Sequence, residues 1–144
     1  MTASEKEIKM KYCFIINPIA GKGSFTAEAQ KNIKDVCGGK TVDYDIFLSE
    51  SVEATRKYIS ETVQNEEKVI FFACGGDGTV CKTAAAIMEL PEDKRERAIL
   101  GVLPMGTGND FVSNFKNKDL FFDIEAQLEG TVCKIDAFKC NDTY

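Results

Sequence analysis

The run Lys68-Val69-Ile70-Phe71-Phe72-Ala73-Cys74 continues directly into Gly75-Gly76-Asp77-Gly78-Thr79. The first part is apolar and rich in β-forming residues, which predicts a strand buried on both faces, as in a parallel sheet. Over residues 80–88 apolar side chains recur at helical spacing, so a helix is expected after the glycines. This order leaves unpaired backbone N–H groups at the sheet edge, where the helix dipole favours negative charge. Residues 75–79, the central turn, are therefore predicted to bind phosphate.

Asp77 is an unusual residue for such a turn, because a carboxylate repels phosphate. The glycines around it allow positive φ and let a ligand approach without meeting a Cβ. Asp77 fits this setting if it faces a metal–phosphate or accepts a proton from a hydroxyl group. The alternative is a tight strand–helix turn in which Asp77 only caps the following helix. The pentapeptide alone leaves both interpretations open.

The composition limits the class of protein. A length of 144 residues is typical of one domain, and 44% hydrophobic with 28% charged residues is typical of a globular protein. The net charge of −5 argues against a nucleic-acid partner, which would favour a basic face. No apolar stretch approaches the length of a membrane span, and residues 1–11 lack the apolar segment of a secretory signal. We therefore expect a cytoplasmic protein.

The cysteines do not indicate a metal site. None of the 6 forms a Cys-x-x-Cys pair and the chain has no histidine, so a structural zinc site is not expected. Cys13 and Cys74 fall within predicted strands, where cysteine behaves as a small apolar residue. We expect reduced, structural thiols. Any general base must be a carboxylate, a lysine or water.

Other apolar runs predict three more strands, at 12–16, 44–48 and 99–103. Helical patterns separate the strands, which predicts a mostly parallel α/β sheet. The first helix is expected to stop at Gly38-Gly39, and Ser51 is expected to cap the second. In the remaining segments we expect a charged loop, a helix and a last strand, at 92–97, 119–128 and 131–139.

Two further strands also end in glycine-rich turns. The N-terminal turn (17–24) contains Asn17-Pro18 and Ala20-Gly21-Lys22-Gly23-Ser24, and matches neither a P-loop nor a dinucleotide fingerprint. The C-terminal turn (104–111) reads Pro104-Met105-Gly106-Thr107-Gly108-Asn109-Asp110-Phe111. Its Thr107 and Asn109 can reach ribose or phosphate oxygens, whereas Asp110 can orient them or cap the next helix. Because all three turns follow strands, they should meet at the carboxyl edge of the sheet, where open α/β sheets bind ligands.

The three turns, in this order and spacing, resemble those of the diacylglycerol kinase catalytic-domain family, which includes YegS-like lipid kinases, sphingosine kinases and ceramide kinases. The resemblance implies a three-layer α/β fold like the N-terminal domain of NAD kinases and phosphofructokinases, and ATP-dependent phosphorylation of a lipid hydroxyl. It also implies an ATP-binding kinase domain at 11–134 and the start of a truncated, β-rich second domain at 135–144. By itself this fragment would be inactive. Residues 1–10 are mostly polar and are expected to form a flexible lead-in.

The same resemblance implies the site residues. ATP would bind to the three turns and to Ser49, which stands where the family often has a nucleotide-contacting threonine. The candidate ATP-binding residues are Asn17, Gly21, Lys22, Gly23, Ser49, Gly75, Gly76, Asp77, Gly78, Thr79, Lys82, Gly106, Thr107, Gly108, Asn109 and Asp110. Asp77 would be the catalytic base, as proposed for the sphingosine-kinase branch. In bacterial members a carboxylate of the second domain is implicated instead, and most Mg²⁺ ligands are expected there. The expected partners are ATP, a lipid at a membrane surface and a second copy of the chain.

One position departs from the family pattern. The family usually has an Asn-Glu pair shortly after the central turn, and Cys81-Lys82 stands there in this chain. Lys82 reverses the charge in the first turn of the helix that faces the phosphates, so it could pair with a phosphate, alter the use of metal or abolish catalysis. Two alternatives stay open: an NAD kinase, which has a similar central turn, and a nucleotide-binding module without activity.

Overall fold

The computed structural model describes residues 6–19, 23, 25–106 and 108–142. Strands and helices alternate through most of this range. In chain order they are β1 (Met10–Ile16), α1 (Thr26–Lys40), β2 (Asp43–Leu48), α2 (Val52–Gln64), β3 (Lys68–Gly75), α3 (Asp77–Met88), α4 (Glu92–Arg95), β4 (Ala98–Pro104), α5 (Asp110–Ser113), a 3-10 helix (Lys118–Phe122) and α6 (Ile124–Leu128).

The strands form one 4-stranded sheet in the order β2-β1-β3-β4. Every neighbouring pair is parallel, which confirms the predicted α/β sheet. The chain passes from β1 to β2 on one side and then returns to β3 on the other side of β1. The strand order therefore reverses between β1 and β3, which is where open parallel sheets form their ligand crevice.

Helices cover both faces of the sheet. On one face, side chains of β1 and β3 pack with α2 and α3 around the fully buried Phe71. On the other face they pack with α1 and α6 around Phe14 and Phe72, whose stacked rings lie 4.8 Å apart. A strand buried in this way must be apolar at every position rather than at alternate ones. The predicted three-layer architecture is confirmed.

The prediction that Gly38-Gly39 stops the first helix is wrong. Helix α1 continues to Lys40, and a Cβ added at either glycine would meet nothing within 4 Å. The helix ends instead at Thr41, whose φ of 56° is left-handed and whose N–H bonds to the carbonyl of Gly38 at 3.3 Å. Glycine lowers helix stability but does not by itself end a helix.

Two segments between the main elements also differ from their predictions. The expected loop at 92–97 contains the one-turn helix α4, and Arg95 donates from Nη1 to the carbonyl of Met88 at 3.0 Å, near the end of α3. The expected single helix at 119–128 is divided at Asp123, whose carboxylate accepts the N–H of Ala126 at 3.1 Å and so caps α6.

The predicted last strand at 131–139 is wrong as well. This segment has neither helix nor strand, and its residues are exposed, including Val132, Ile135 and Phe138. The alternation of apolar residues is typical of a strand, but a strand also needs a neighbour for its backbone hydrogen bonds. None of the sheet's four strands pairs with this segment.

All six cysteines are free thiols. Those at positions 13, 37 and 74 are buried, as expected for structural residues, and the other three are exposed. Burial raises the pKa of Cys13 and of Cys37 to about 11, so both stay protonated and unreactive at neutral pH. Within the described part of the chain, no helix has the length and apolar character that crossing a bilayer requires.

Candidate functional site

Backbone hydrogen bonds beyond the strand ends align the turns at one edge of the sheet. Asn17 donates to the carbonyl of Cys74 at 3.1 Å, and Met105 donates to the carbonyl of Gly75 at 2.8 Å. Ser49 likewise donates to Ile16, at 2.9 Å. These bonds continue the parallel ladder by one residue. They fix the first residue of the N-terminal turn, the central turn, the start of the C-terminal turn and the end of β2 side by side.

A cleft of about 210 Å³ opens where β1 and β2 end and where α2 and α3 begin. Four of the predicted site residues line it: Asn17, Ser49, Thr79 and Lys82. Ligand pockets typically span about 300–1,000 Å³, so this cleft has room for part of a nucleotide. The structure thus brings together residues from the N-terminal turn, the end of β2 and the central turn.

Hydroxyl and amide groups organise the walls of the cleft. Asn17 donates from Nδ2 to Oγ1 of Thr79 at 3.5 Å and so connects the N-terminal turn with the central turn. The hydroxyl of Ser49 lies 2.7 Å from that of Thr55, which also donates to the carbonyl of Ser51 at 3.1 Å. Ser51 caps α2 as predicted, because its Oγ accepts the N–H of residue 54 at 3.0 Å.

The N-terminus of α3 has the features of an anion site. Its N-cap residue is Gly76, which has no side chain to satisfy the first N–H groups of the helix. Gly78 follows in the first turn, is exposed, and a Cβ placed on it would meet nothing within 4 Å. An anion can therefore approach the N–H groups at the positive end of the helix dipole.

The Asp77 side chain does not cap its own helix, α3. Its carboxylate accepts the backbone N–H of Phe111 at 3.0 Å and that of Asp110 at 2.9 Å, at the start of α5. These two hydrogen bonds lower the pKa of Asp77, so the side chain stays ionised. The alternative in which Asp77 caps the helix that follows it is therefore wrong, because α3 has no side-chain cap among the described residues. Asp77 instead accepts the N–H groups at the start of α5 and ties the central turn to the C-terminal turn.

The C-terminal turn lies directly against the central turn. A Cβ at Gly106 would lie only 2.5 Å from the Cα of Gly76, so this approach requires glycine. Asn109 has a φ of 53°, its Oδ1 accepts the N–H of Gly106 at 3.1 Å, and its Nδ2 donates to the carbonyl of Gly106 at 2.9 Å. The Asn109 amide thus holds the turn closed. Gly108 lies beside the carboxylates of Asp77 and Asp110.

Two more of the predicted glycines have a defined role, and three predicted residues lie outside the described part of the chain. Gly75 is required because a Cβ there would overlap the side chain of Thr79. Gly23 has a φ of 77°, which L side chains rarely adopt. The three residues that the structure does not describe are Gly21, Lys22 and Thr107.

Thr83 was not among the predicted site residues. This residue is 1% exposed, lines the cleft, and has no hydrogen-bond partner for its Oγ1 among the described residues. The pattern did contain an indication. Thr83 falls three residues after Val80 and four before Ile87, on the apolar face of the helix, where a hydroxyl group is out of place.

Comparison with known proteins identifies the family. The sequence model of the diacylglycerol kinase catalytic domain matches residues 11–140, which is most of the chain. The chain belongs to this family. The matched range includes all three turns, the cleft and the residues that tie the turns together.

Individual relatives agree with this assignment. A protein described as "Probable lipid kinase YegS-like" from Yersinia pestis (strain Pestoides F) is 38% identical over 86 residues, which are 60% of this chain and 27% of the relative. The protein with the same description from Yersinia pseudotuberculosis serotype O:1b (strain IP 31758) matches equally well. A crystal structure of a diacylglycerol kinase from Bacillus anthracis strain Sterne has 27% identity and a TM-score of 0.52, covering 76% of this chain and 38% of that one. The chain spans 27% of the length of the curated relatives it matches.

Proposed function

We propose that this chain is the nucleotide-binding half of an ATP-dependent lipid kinase, which transfers the γ-phosphate of ATP to a lipid hydroxyl. The observation that carries the proposal is the alignment of Asn17 and Met105, at the starts of two turns, with the central turn at the N-terminus of α3, in a chain that belongs to the diacylglycerol kinase family. The relatives are described as lipid kinases, which favours a lipid over NAD as the acceptor.

The phosphates of ATP would bind at the start of α3. The N–H groups at Gly76, Asp77 and Gly78 supply donors, and the space in front of Gly78 admits the ligand. Lys82, which lines the cleft, adds a positive charge. From the two other turns we propose Asn17, Gly21, Lys22, Gly23, Thr107, Gly108, Asn109 and Asp110 as further contacts, with Ser49 contributing from the end of β2.

Asp77 would act on the hydroxyl of the acceptor. Phosphoryl transfer depends mainly on positioning and on charge stabilisation, and kinases use an aspartate that accepts the proton of the attacking hydroxyl. The bonds from Asp110 and Phe111 keep Asp77 ionised and fix its orientation. An ionised, fixed carboxylate can accept a hydrogen bond from the acceptor hydroxyl and hold it in line with the γ-phosphate.

Mg²⁺ would enter as its complex with ATP. It neutralises phosphate charge and is commonly held by one or two carboxylates together with phosphate oxygens. The described residues contain no group of three or more acidic, cysteine or histidine side chains that could hold a metal. Asp77 and Asp110, both beside Gly108, are the carboxylates available at the turns. We propose that other ligands come from a second domain.

The acceptor would be taken from a membrane surface, so we propose a peripheral membrane association in the cytoplasm. We separately propose that the protein forms a homodimer. Within the relatives' longer chains, a second domain would complete the acceptor site. The descriptions of the relatives as lipid kinases support the acceptor class, and the assay below distinguishes among diacylglycerol, sphingoid, ceramide and polyprenol acceptors.

A phosphate-transfer assay tests the proposed function. The longest natural polypeptide that contains this sequence is incubated with labelled ATP and Mg²⁺, and is offered a panel of lipids in mixed micelles together with NAD. A labelled lipid is the expected product and names the acceptor. Labelled NADP would assign the chain to an NAD kinase activity. ATP binding without any product would favour a nucleotide-binding module without activity.

A further inference from the structure

Thr83 has a buried hydroxyl group that the protein itself does not satisfy. The residue is 1% exposed and its Oγ1 lacks a hydrogen-bond partner within the described part of the chain. Such a group destabilises the folded protein, because it has lost its hydrogen bonds to water without replacing them. A buried polar group without a partner therefore needs an explanation, and one explanation is a partner that the ligand supplies.

The position of this hydroxyl indicates where that partner would come from. Thr83 forms part of the cleft wall, together with Thr79 and Lys82 on the same helix. The hydroxyls of Ser49 and Thr55, which also belong to residues of the cleft lining, differ from it, because they lie 2.7 Å apart and hydrogen-bond to each other. Thr83 is thus a buried hydroxyl group in the cleft wall whose hydrogen-bonding capacity the described part of the protein leaves unused.

The distance along α3 determines which part of a nucleotide can reach Thr83. The proposed phosphate site begins at Asp77, the first residue of α3. Thr83 is six residues further on, which corresponds to about 9 Å along the helix axis. A phosphate held at the N-terminus of α3 does not reach that far. The base or the ribose of the same nucleotide can extend as far as Thr83. The apolar side chains of Ile15, Ile19 and Val52 in the cleft wall suit a heterocyclic base.

We propose that the Thr83 hydroxyl contacts the nucleoside part of the bound nucleotide and contributes to its affinity. This inference rests on the proposed function, because it takes ATP as the ligand of the cleft. It assigns a specific role to a residue outside the three glycine-rich turns. The triphosphate occupies the start of α3, and the nucleoside extends along the helix into the cleft.

The test substitutes Thr83→Val, which keeps the shape and removes the hydroxyl. The longest natural polypeptide is used, and affinity for ATP and for inorganic tripolyphosphate is measured by calorimetry, together with the Tm of the unliganded protein. We expect ATP binding to weaken about threefold to tenfold, as for one lost hydrogen bond. Tripolyphosphate binding should not change. The Tm should stay equal or rise, because valine removes a buried group that had no partner.

Three control variants separate this role from a structural one. Thr83→Ser keeps the hydroxyl and should retain most of the ATP affinity. Thr62→Val makes the same chemical change on α2, away from the cleft, and should not alter binding. Thr55→Val should lower the Tm, because this hydroxyl bonds to Ser49 and to the carbonyl of Ser51.

The outcomes that overturn the inference are distinct from those that overturn the proposed function. If the wild-type protein binds ATP and Thr83→Val binds it equally well, the role of Thr83 is wrong and the proposed function stands. A lower Tm with unchanged ATP affinity would give Thr83 a structural role only. If the wild-type protein binds tripolyphosphate but not ATP, or neither, the proposed nucleotide site itself is wrong.

Discussion

The Asp77 carboxylate accepts the backbone N–H of Phe111 at 3.0 Å, across a separation of 34 residues in the sequence. With the neighbouring bond from Asp110, this contact fixes the start of α5 against the central turn. Asp77 therefore has a structural role in addition to the proposed chemical one. A substitution at this position must be measured for both.

Replacing Asp77 with asparagine is expected to reduce turnover by about 100-fold or more, because the proposed base is lost. The fold should be retained, although the Tm should fall by a few degrees, since the asparagine amide presents an N–H group where a backbone donor needs an acceptor. Phosphate transfer by the longest natural polypeptide and its circular dichroism spectrum measure the two effects. Asp35→Asn, on the exposed surface of α1, is the control. Full turnover in Asp77→Asn would exclude the catalytic role.

The bonds to Phe111 and Asp110 also predict how stability depends on pH. They lower the pKa of Asp77 in the folded protein, so the unfolded chain binds this proton more tightly. The stabilisation of the folded protein by these two hydrogen bonds is complete above the unfolded-state pKa of about 4. It is lost as the pH falls through the lower, folded-state pKa. The difference in Tm between wild type and Asp77→Asn should therefore shrink below about pH 4. A constant difference from pH 6 to pH 2.5 would contradict the role of these bonds.

Gly78→Ala is expected to separate binding from folding. The added Cβ would meet no protein atom within 4 Å, so the Tm should not fall. It would occupy the space in front of the α3 N–H groups, and ATP affinity should decrease by about tenfold or more. Gly38→Ala, another helical glycine with free space, should raise the Tm without changing ATP affinity. ATP binding by Gly78→Ala at wild-type strength would place the phosphates elsewhere.

Gly106→Ala is the counterpart of Gly78→Ala, because it is expected to affect stability as well as binding. Its Cβ would lie 2.5 Å from the Cα of Gly76, so the two turns would have to separate. Both the Tm and ATP affinity are expected to fall. Loss of binding alone, with an unchanged Tm, would mean that the turns do not need this close approach.

Lys82→Met should weaken ATP binding about tenfold, because a charge-assisted contact to phosphate is lost. The remaining affinity should depend less on salt concentration than that of the wild type, since one screened ionic contact has been removed. Titrations at several NaCl concentrations measure both quantities. Lys34→Met, which removes an exposed lysine on α1, should change neither. If Lys82→Met and Lys34→Met behave alike, Lys82 is not a phosphate ligand.

Gln127→Leu tests whether the Gln127 amide stabilises β4, the strand at one edge of the sheet. The Gln127 amide donates to the carbonyl of Val102 in β4 at 2.6 Å and to that of Phe121 at 2.7 Å. Leucine would leave both carbonyls without this donor, and the free energy of unfolding should fall by about 1–3 kcal/mol. Urea unfolding measures the change. Gln64→Leu, at an exposed position on α2, should have little effect. Equal stability of the two variants would show that water replaces the amide at no cost.

The turns themselves could be predicted because their chemistry is local. Glycines that follow an apolar run indicate a strand that ends and a helix that begins, and Ser51 is an N-cap by residue type and position. The errors have the same origin. Gly38-Gly39 is typical of a helix end, and 131–139 alternates like a strand, but helix continuation and strand pairing depend on the surroundings of the segment.

The sequence by itself determined the parallel α/β layers, the glycine-rich turns and their common edge, because periodicity and turn chemistry are properties of consecutive residues. Only the tertiary structure decided that Asp77 accepts the backbone N–H groups at the start of α5 and that Gly106 lies against Gly76. It also decided that the Thr83 hydroxyl has no protein partner in the described range. Each of these facts depends on atoms that are distant in the chain. Packing brings such atoms together or leaves one without a partner, and a local pattern can indicate a buried hydroxyl, as at Thr83, but not its partner.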